Sequence, residues 1–176
     1  MTYKQLYIFV EGEDDKRFIN SVVKPLFLQY YAAVIPILYA GQKQQNIVKF
    51  IQTFNNQLNT DYIFFCDLDS RGNVLCVTKR KEIEQNKYSN CFENERMIVV
   101  KEEIESWYLA GIAETFKMKP FADTERVTKE DFEKLIPKSF INKIDLMIEI
   151  LKEYNLEEAR QRNQSFAYFV KKFKLA

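Results

Sequence analysis

Histidine is absent from the 176 residues, and with it go the Ser-His-Asp triad, the Cys-His nucleophile and the histidine-rich zinc site. Cysteine is scarce. Cys66, Cys76 and Cys91 are odd in number, lack C-x-x-C spacing and cannot staple a secreted scaffold, so a reducing cytoplasmic setting is expected. No apolar run is long enough to span a bilayer, and the first one meets Glu11 too soon to form the core of a signal peptide, so no membrane partner is expected. Neither sign of charge prevails: 26 basic residues face 25 acidic ones, for a net charge of +1. That balance excludes a uniformly basic nucleic-acid coat and a disordered polyelectrolyte, so recognition of nucleic acid has to rest on local patches. Glycine and proline number only 4 each, low-complexity sequence is missing, and 47% of the residues are hydrophobic. One domain with a sizeable core is the expectation. Any chemistry then runs on carboxylates, lysines or cysteines.

What is present is an alternation of apolar runs and amphipathic stretches. Residues 6–10, 33–39, 62–66 and 97–100 are short, apolar and rich in β-formers, and they predict four strands. Pro36 predicts that the second strand lies at an edge or carries a bulge. Between the strands, helices are predicted from about Asp14, with a kink or an early end at Pro25, over Ile47 to about Leu58, and between Cys76 and Lys87. This order predicts an α/β fold with a mostly parallel central sheet of about four strands and helices on both faces. Beyond Thr128, an N-cap followed by acidic residues, the pattern becomes helical, over 141–154 and 156–173. The chain reads as one domain over 1–176, with its core at about 4–115 and a helical C-terminal extension at about 128–174.

Three acidic clusters follow three of the predicted strands: Glu11 with Asp15, Asp67 with Asp69, and Glu103 with Glu105. In an open parallel sheet the carboxyl ends of the strands form the ligand-binding edge. Carboxylates gathered there need a cation, and hard oxygen donors suit Mg²⁺ or Mn²⁺. Two such ions support phosphodiester cleavage without histidine. The bland readings stand beside this one: Glu11 as a charge at a helix start, Asp67 as a turn residue, and Glu103 and Glu105 as first-turn charges of the helix bearing Trp107.

Val10-Glu11-Gly12-Glu13-Asp14-Asp15 after one strand, Asp67-Leu68-Asp69 after another and Gly41 between them resemble the Toprim domain of topoisomerases, primases and nucleases. The run from Glu103 to Ala110, with Ser165-Phe166, resembles small stand-alone Toprim proteins related to the OLD (overcoming lysogenization defect) family of nucleases. The resemblance spans about residues 5–112. It implies a Toprim-like fold and a metal-dependent nuclease of prokaryotic antiviral defence loci, often beside a separately encoded ATPase. Glu11 would be the leading acid, as metal ligand or general base. Asp67 and Asp69 would hold Mg²⁺, and Asp15 and Glu105, with Glu103 beside it, would complete a two-ion site. Arg71 stands where many Toprim domains have a third acid, which weakens a primase or topoisomerase reading. A topoisomerase would also carry a tyrosine-nucleophile domain, which these residues do not contain.

Of the basic residues, Lys171 and Lys172 are candidates for stabilising developing charge near the metals. Lys43, Lys79, Arg80, Lys81, Arg160 and Arg162 are candidates for contacting nucleic-acid phosphates, against solvated surface as the default. Trp107, Tyr108, Phe116 and Phe121 read as core more readily than as stacking platforms. Two rival functions remain open. One is a non-catalytic Toprim-fold module that binds a nucleotide or partner and regulates an ATPase. The other is a haloacid-dehalogenase-type phosphatase built on Asp67 and Asp69, disfavoured because that motif belongs after the first strand.

Overall fold

The structure is a computed structural model that describes residues 3–68 and 76–175. The chain forms two compact units, residues 1–99 and 100–176.

The first unit is an α/β layer structure around a four-stranded, all-parallel sheet in the order β2-β1-β3-β4. Its strands are β1 (Gln5–Val10), β2 (Ala33–Leu38), β3 (Thr60–Asp67) and β4 (Met97–Val100). In β3 no residue from Tyr62 to Cys66 is more than 2% exposed, as befits a central strand covered on both faces. Pro36 has its expected place, since β2 pairs only with β1 and is an edge strand. Tyr39 N–H donates to Val10 O at 3.0 Å just past β2. Alternation along a strand then turns the missing N–H of Pro36 outward, where it removes no bond from the ladder.

Between β1 and β2 run α1 (Glu13–Phe18), a π-helical turn (Ile19–Val23) and α2 (Lys24–Phe27). Pro25 sits in the first turn of α2, so the expected kink takes the form of one wide turn before the proline. α3 (Gln44–Asn55) precedes β3 and α4 (Val77–Lys87) precedes β4. Right-handed crossovers fix the layers. The β1-to-β2 step moves one way along the sheet and the β2-to-β3 step moves the other, so their helices lie on opposite faces. Phe9, Phe64 and Cys66 face α3 through Ile47, Ile51 and Phe54, and Tyr88 and Phe92 after α4 close the same core. Leu6, Ile8 and Val10, of opposite parity in β1, are buried on the other face.

At the amino edge of this sheet Asp61 gathers three partners: Tyr31 Oη at 2.7 Å, Lys4 Nζ at 2.6 Å and Arg96 Nη1 at 3.0 Å. Burial pushes the Asp61 carboxyl up, but the donors from Lys4, Tyr31 and Arg96 outweigh it and hold the group below the usual aspartate range.

The second unit is helical. It contains α5 (Glu105–Ala110), α6 (Lys129–Lys134), α7 (Lys143–Lys152), α8 (Leu156–Arg162) and α9 (Gln164–Phe173). Trp107, Tyr108, Phe132, Leu146, Met147, Phe166 and Phe169 are all fully buried, so the Trp107 region is core. Thr128 caps α6 as expected, its hydroxyl accepting from Asp131 N–H. The single helix expected over 156–173 is instead two. Asn163 has extended backbone angles, and its Oδ1 accepts from Phe166 N–H at 2.9 Å and from the Ser165 hydroxyl at 2.8 Å. Its Nδ2 donates to Thr124 Oγ1 at 3.1 Å, so one buried amide ends α8 and starts α9. Among the described residues no helix is long and apolar enough to cross a membrane.

Candidate active site at the carboxyl edge of the sheet

The sheet order places a topological switch point beside β1. The chain leaves β1 for β2 on one side and returns past it to β3 on the other, and the crevice at such a point is where open parallel sheets bind ligands. β1 and β3 are paired in register up to Phe9 opposite Phe64. Glu11 follows two residues later, just past the end of β1, and Asp67 closes β3, so the two leading acids of the sequence flank that crevice.

Glu11 is exposed and has no ion-pair partner among the described residues; its Oε2 accepts from Tyr39 Oη at 3.3 Å. Tyr39 was not singled out in the sequence. It becomes a neighbour of Glu11 only through the β1–β2 register, in which Val10 faces Leu38. Its ring is 5% exposed and stacks on Phe64 at 4.7 Å. Burial raises its phenol far above the usual range, and the nearby charges of Glu11, Cys66, Glu84 and Asp67 raise it further. The group is a permanent donor. Asp67 is half-buried, and Leu68 after it is 6% exposed. Asp69, and with it Arg71, lie outside the described residues.

Asp15 is buried, and its Oδ2 accepts from Gly12 N–H at 3.0 Å. That bond gives Asp15 a capping role at the start of α1. A Cβ at residue 12 would lie 3.3 Å from the same oxygen, so glycine gives the loop its close approach to Asp15.

Below this edge α4 turns two charges inward. Arg80 Nη2 meets Glu84 Oε1 at 3.2 Å, and Glu84 is 2% exposed. Arg80 Nε and Glu84 Oε2 are buried without hydrogen-bond partners among the described residues. Burial pushes the neighbouring Cys66 thiol up to about 12, against the lowering effect of Arg80. Arg80 is therefore part of the floor of the site and is not presented to solvent like its neighbours. Lys79 is exposed and pairs with Glu82 at 3.2 Å, Lys81 Nζ donates to Asn94 O at 2.8 Å, and Lys43 is exposed at the start of α3.

Glu103 and Glu105 belong to the second unit. Glu103 accepts from Lys129 N–H at the start of α6. Glu105 is 4% exposed and forms an ion pair with Lys143, the first residue of α7. Lys143 escaped the sequence reading, which looked to Lys171 and Lys172 for a cation. Lys171 is exposed on α9, and Lys172 lies over the Tyr168 ring at 5.5 Å. Arg162 donates to Ile112 O at 2.7 Å and pairs with Glu158 at 2.6 Å, which ties α8 to the turn after α5. Arg160 pairs with Glu157 at 3.1 Å on the surface of α8.

Among the described residues no group of three or more His, Cys, Asp or Glu side chains is gathered closely enough to hold a metal ion. The donor chemistry at the switch point nonetheless fits a hard divalent cation. Glu11 and Asp67 offer carboxylate oxygens, the hard donors such an ion prefers, and among the described residues Glu11 has no ion-pair partner. Comparison of the chain with protein-family models, with curated proteins and with solved structures returns no match.

Proposed function

We propose that this chain is a Mg²⁺- or Mn²⁺-dependent nuclease of Toprim type that hydrolyses phosphodiester bonds of DNA or RNA. The observation that carries the reading is the placement of Glu11 and Asp67 at the carboxyl ends of the two neighbouring strands that flank the switch point. Glu11 and Asp67, with Asp69, would hold the cation, and Asp15 lends its capped carboxylate from the first turn of α1. A bound divalent ion supplies Lewis acidity, lowering the pKa of water and offsetting the charge that develops on the phosphate. Where it does not ligate the ion, the exposed Glu11 would instead be the base that takes a proton from the attacking water. Lys43, Lys79 and Lys81 are offered as phosphate contacts on the first unit. The Toprim resemblance further supports a cytoplasmic role in prokaryotic antiviral defence and a separately encoded ATPase as partner. These residues hold no Walker A sequence of their own.

The test is a titration of Mg²⁺ and Mn²⁺ with purified wild type, Asp67→Asn and Glu11→Gln, scored on plasmid, linear duplex, single-stranded DNA and structured RNA. Cleavage is expected to need the metal and to fall to background in both variants. Metal-dependent cleavage that survives in both refutes the site. Mn²⁺ binding by the wild type without cleavage of any substrate favours the non-catalytic module that regulates an ATPase.

A further inference from the structure

We infer that Tyr39 is a positioning residue of this site: its hydroxyl holds one oxygen of Glu11 and leaves the other directed to the ligand. The inference rests on the metal-dependent reading above. It is carried by geometry that the motifs themselves do not contain. Tyr39 is the first residue past β2, and its own N–H extends the β1–β2 ladder to Val10 O at 3.0 Å, so its backbone is fixed beside the end of β1. Its ring is locked by the stack on Phe64, itself fully buried in β3. The phenol of one strand therefore spans the base of the acid on the next while packing against the strand that carries Asp67.

The Tyr39–Glu11 contact, at 3.3 Å, is long for an O–H···O bond. Such bonds at reaction centres tighten when the ligand arrives. A glutamate side chain is flexible, and an exposed one at a strand end samples several rotamers. A donor that occupies Oε2 selects those in which Oε1 is free. Arg80 and Glu84 back this arrangement from α4, their charges acting on the same phenol and on Cys66 beneath it.

The experiment is calorimetric titration of Mn²⁺ into wild type, Tyr39→Phe, Glu11→Gln and the double variant, with thermal unfolding of each. Removing an outer partner of a metal ligand typically weakens affinity by about ten- to a hundredfold. Tyr39→Phe is expected to bind Mn²⁺ at least about tenfold more weakly and to keep its ring packing and its unfolding temperature near wild type. In the Glu11→Gln background the same change is expected to have little further effect. As a second variant, 4-aminophenylalanine at position 39 restores a donor on an unchanged ring and is expected to return wild-type affinity. Equal affinity in wild type and Tyr39→Phe overturns the inference, as does a loss undiminished in the Glu11→Gln background or a 4-aminophenylalanine variant that binds no better than Phe. A wild type that binds no Mn²⁺ overturns the metal-dependent reading itself, a result distinct from each of these.

Discussion

Glu105 and Lys143 form a buried ion pair inside the second unit, with side-chain exposures of 5% and 14%. Charges this deeply buried are stable only together. Lys143→Met strands a buried carboxylate and is expected to cost about 3–5 kcal/mol in urea unfolding, whereas Lys143→Met with Glu105→Leu recovers most of that loss. Failure of the double variant to recover would mean that Glu105 has a further role beyond its partner. Residue identity alone could not separate these cases, because a glutamate in the first turn of a helix looks the same whether it meets a cation, a lysine or water. Glu11 and Asp67 were legible because each ends an apolar run, a pattern in which a strand stops and a charge begins. Tyr39 was not, since a tyrosine ending a strand becomes a neighbour of Glu11 only when strand pairing is known.

At the scale of elements the strands were the legible part and the helix ends were not. All four strands were expected within two residues of their observed limits, because buried parallel strands are continuous apolar runs. The break between α8 and α9 was missed because the polar residues at 160–164 can also continue a helix; what decides for a cap is the buried partner set of Asn163, which is tertiary. The end of α5 is decided in the same way. Gly111 has ordinary backbone angles, but a Cβ there would lie 2.2 Å from the Tyr154 ring, whose hydroxyl donates to Trp107 O at 2.9 Å. Gly111→Ala is thus expected to lower stability by about 1–3 kcal/mol through overpacking, although alanine is the better helix former. An unfolding midpoint at or above that of the wild type would show that the ring moves aside without cost.

For the whole molecule, pH acts on the clamp at the amino edge of the sheet. The Asp61 carboxyl titrates below its unfolded value, so its contribution is fully present above about pH 5 and is lost as pH falls through the folded pKa. Thermal unfolding of wild type is expected to fall as pH drops below about 4, the ordinary aspartate value, and Asp61→Asn to be less stable at neutral pH and flatter below it. Equal slopes in the two proteins would remove Asp61 from the acid response. The other end of the same sheet bears on solubility. Apolar strands with an open edge invite pairing between molecules. On β2 the outward donors come from alternate residues, and Pro36 removes the one between Val34 and Leu38. An incoming strand therefore finds a gap in the middle of the row it would need to copy. Pro36→Val closes that gap and adds a β-branched residue to an apolar run, so light scattering is expected to reveal self-association in the variant at concentrations where the wild type stays dispersed. One imino acid thereby interrupts the row of donors along the β2 edge of the sheet.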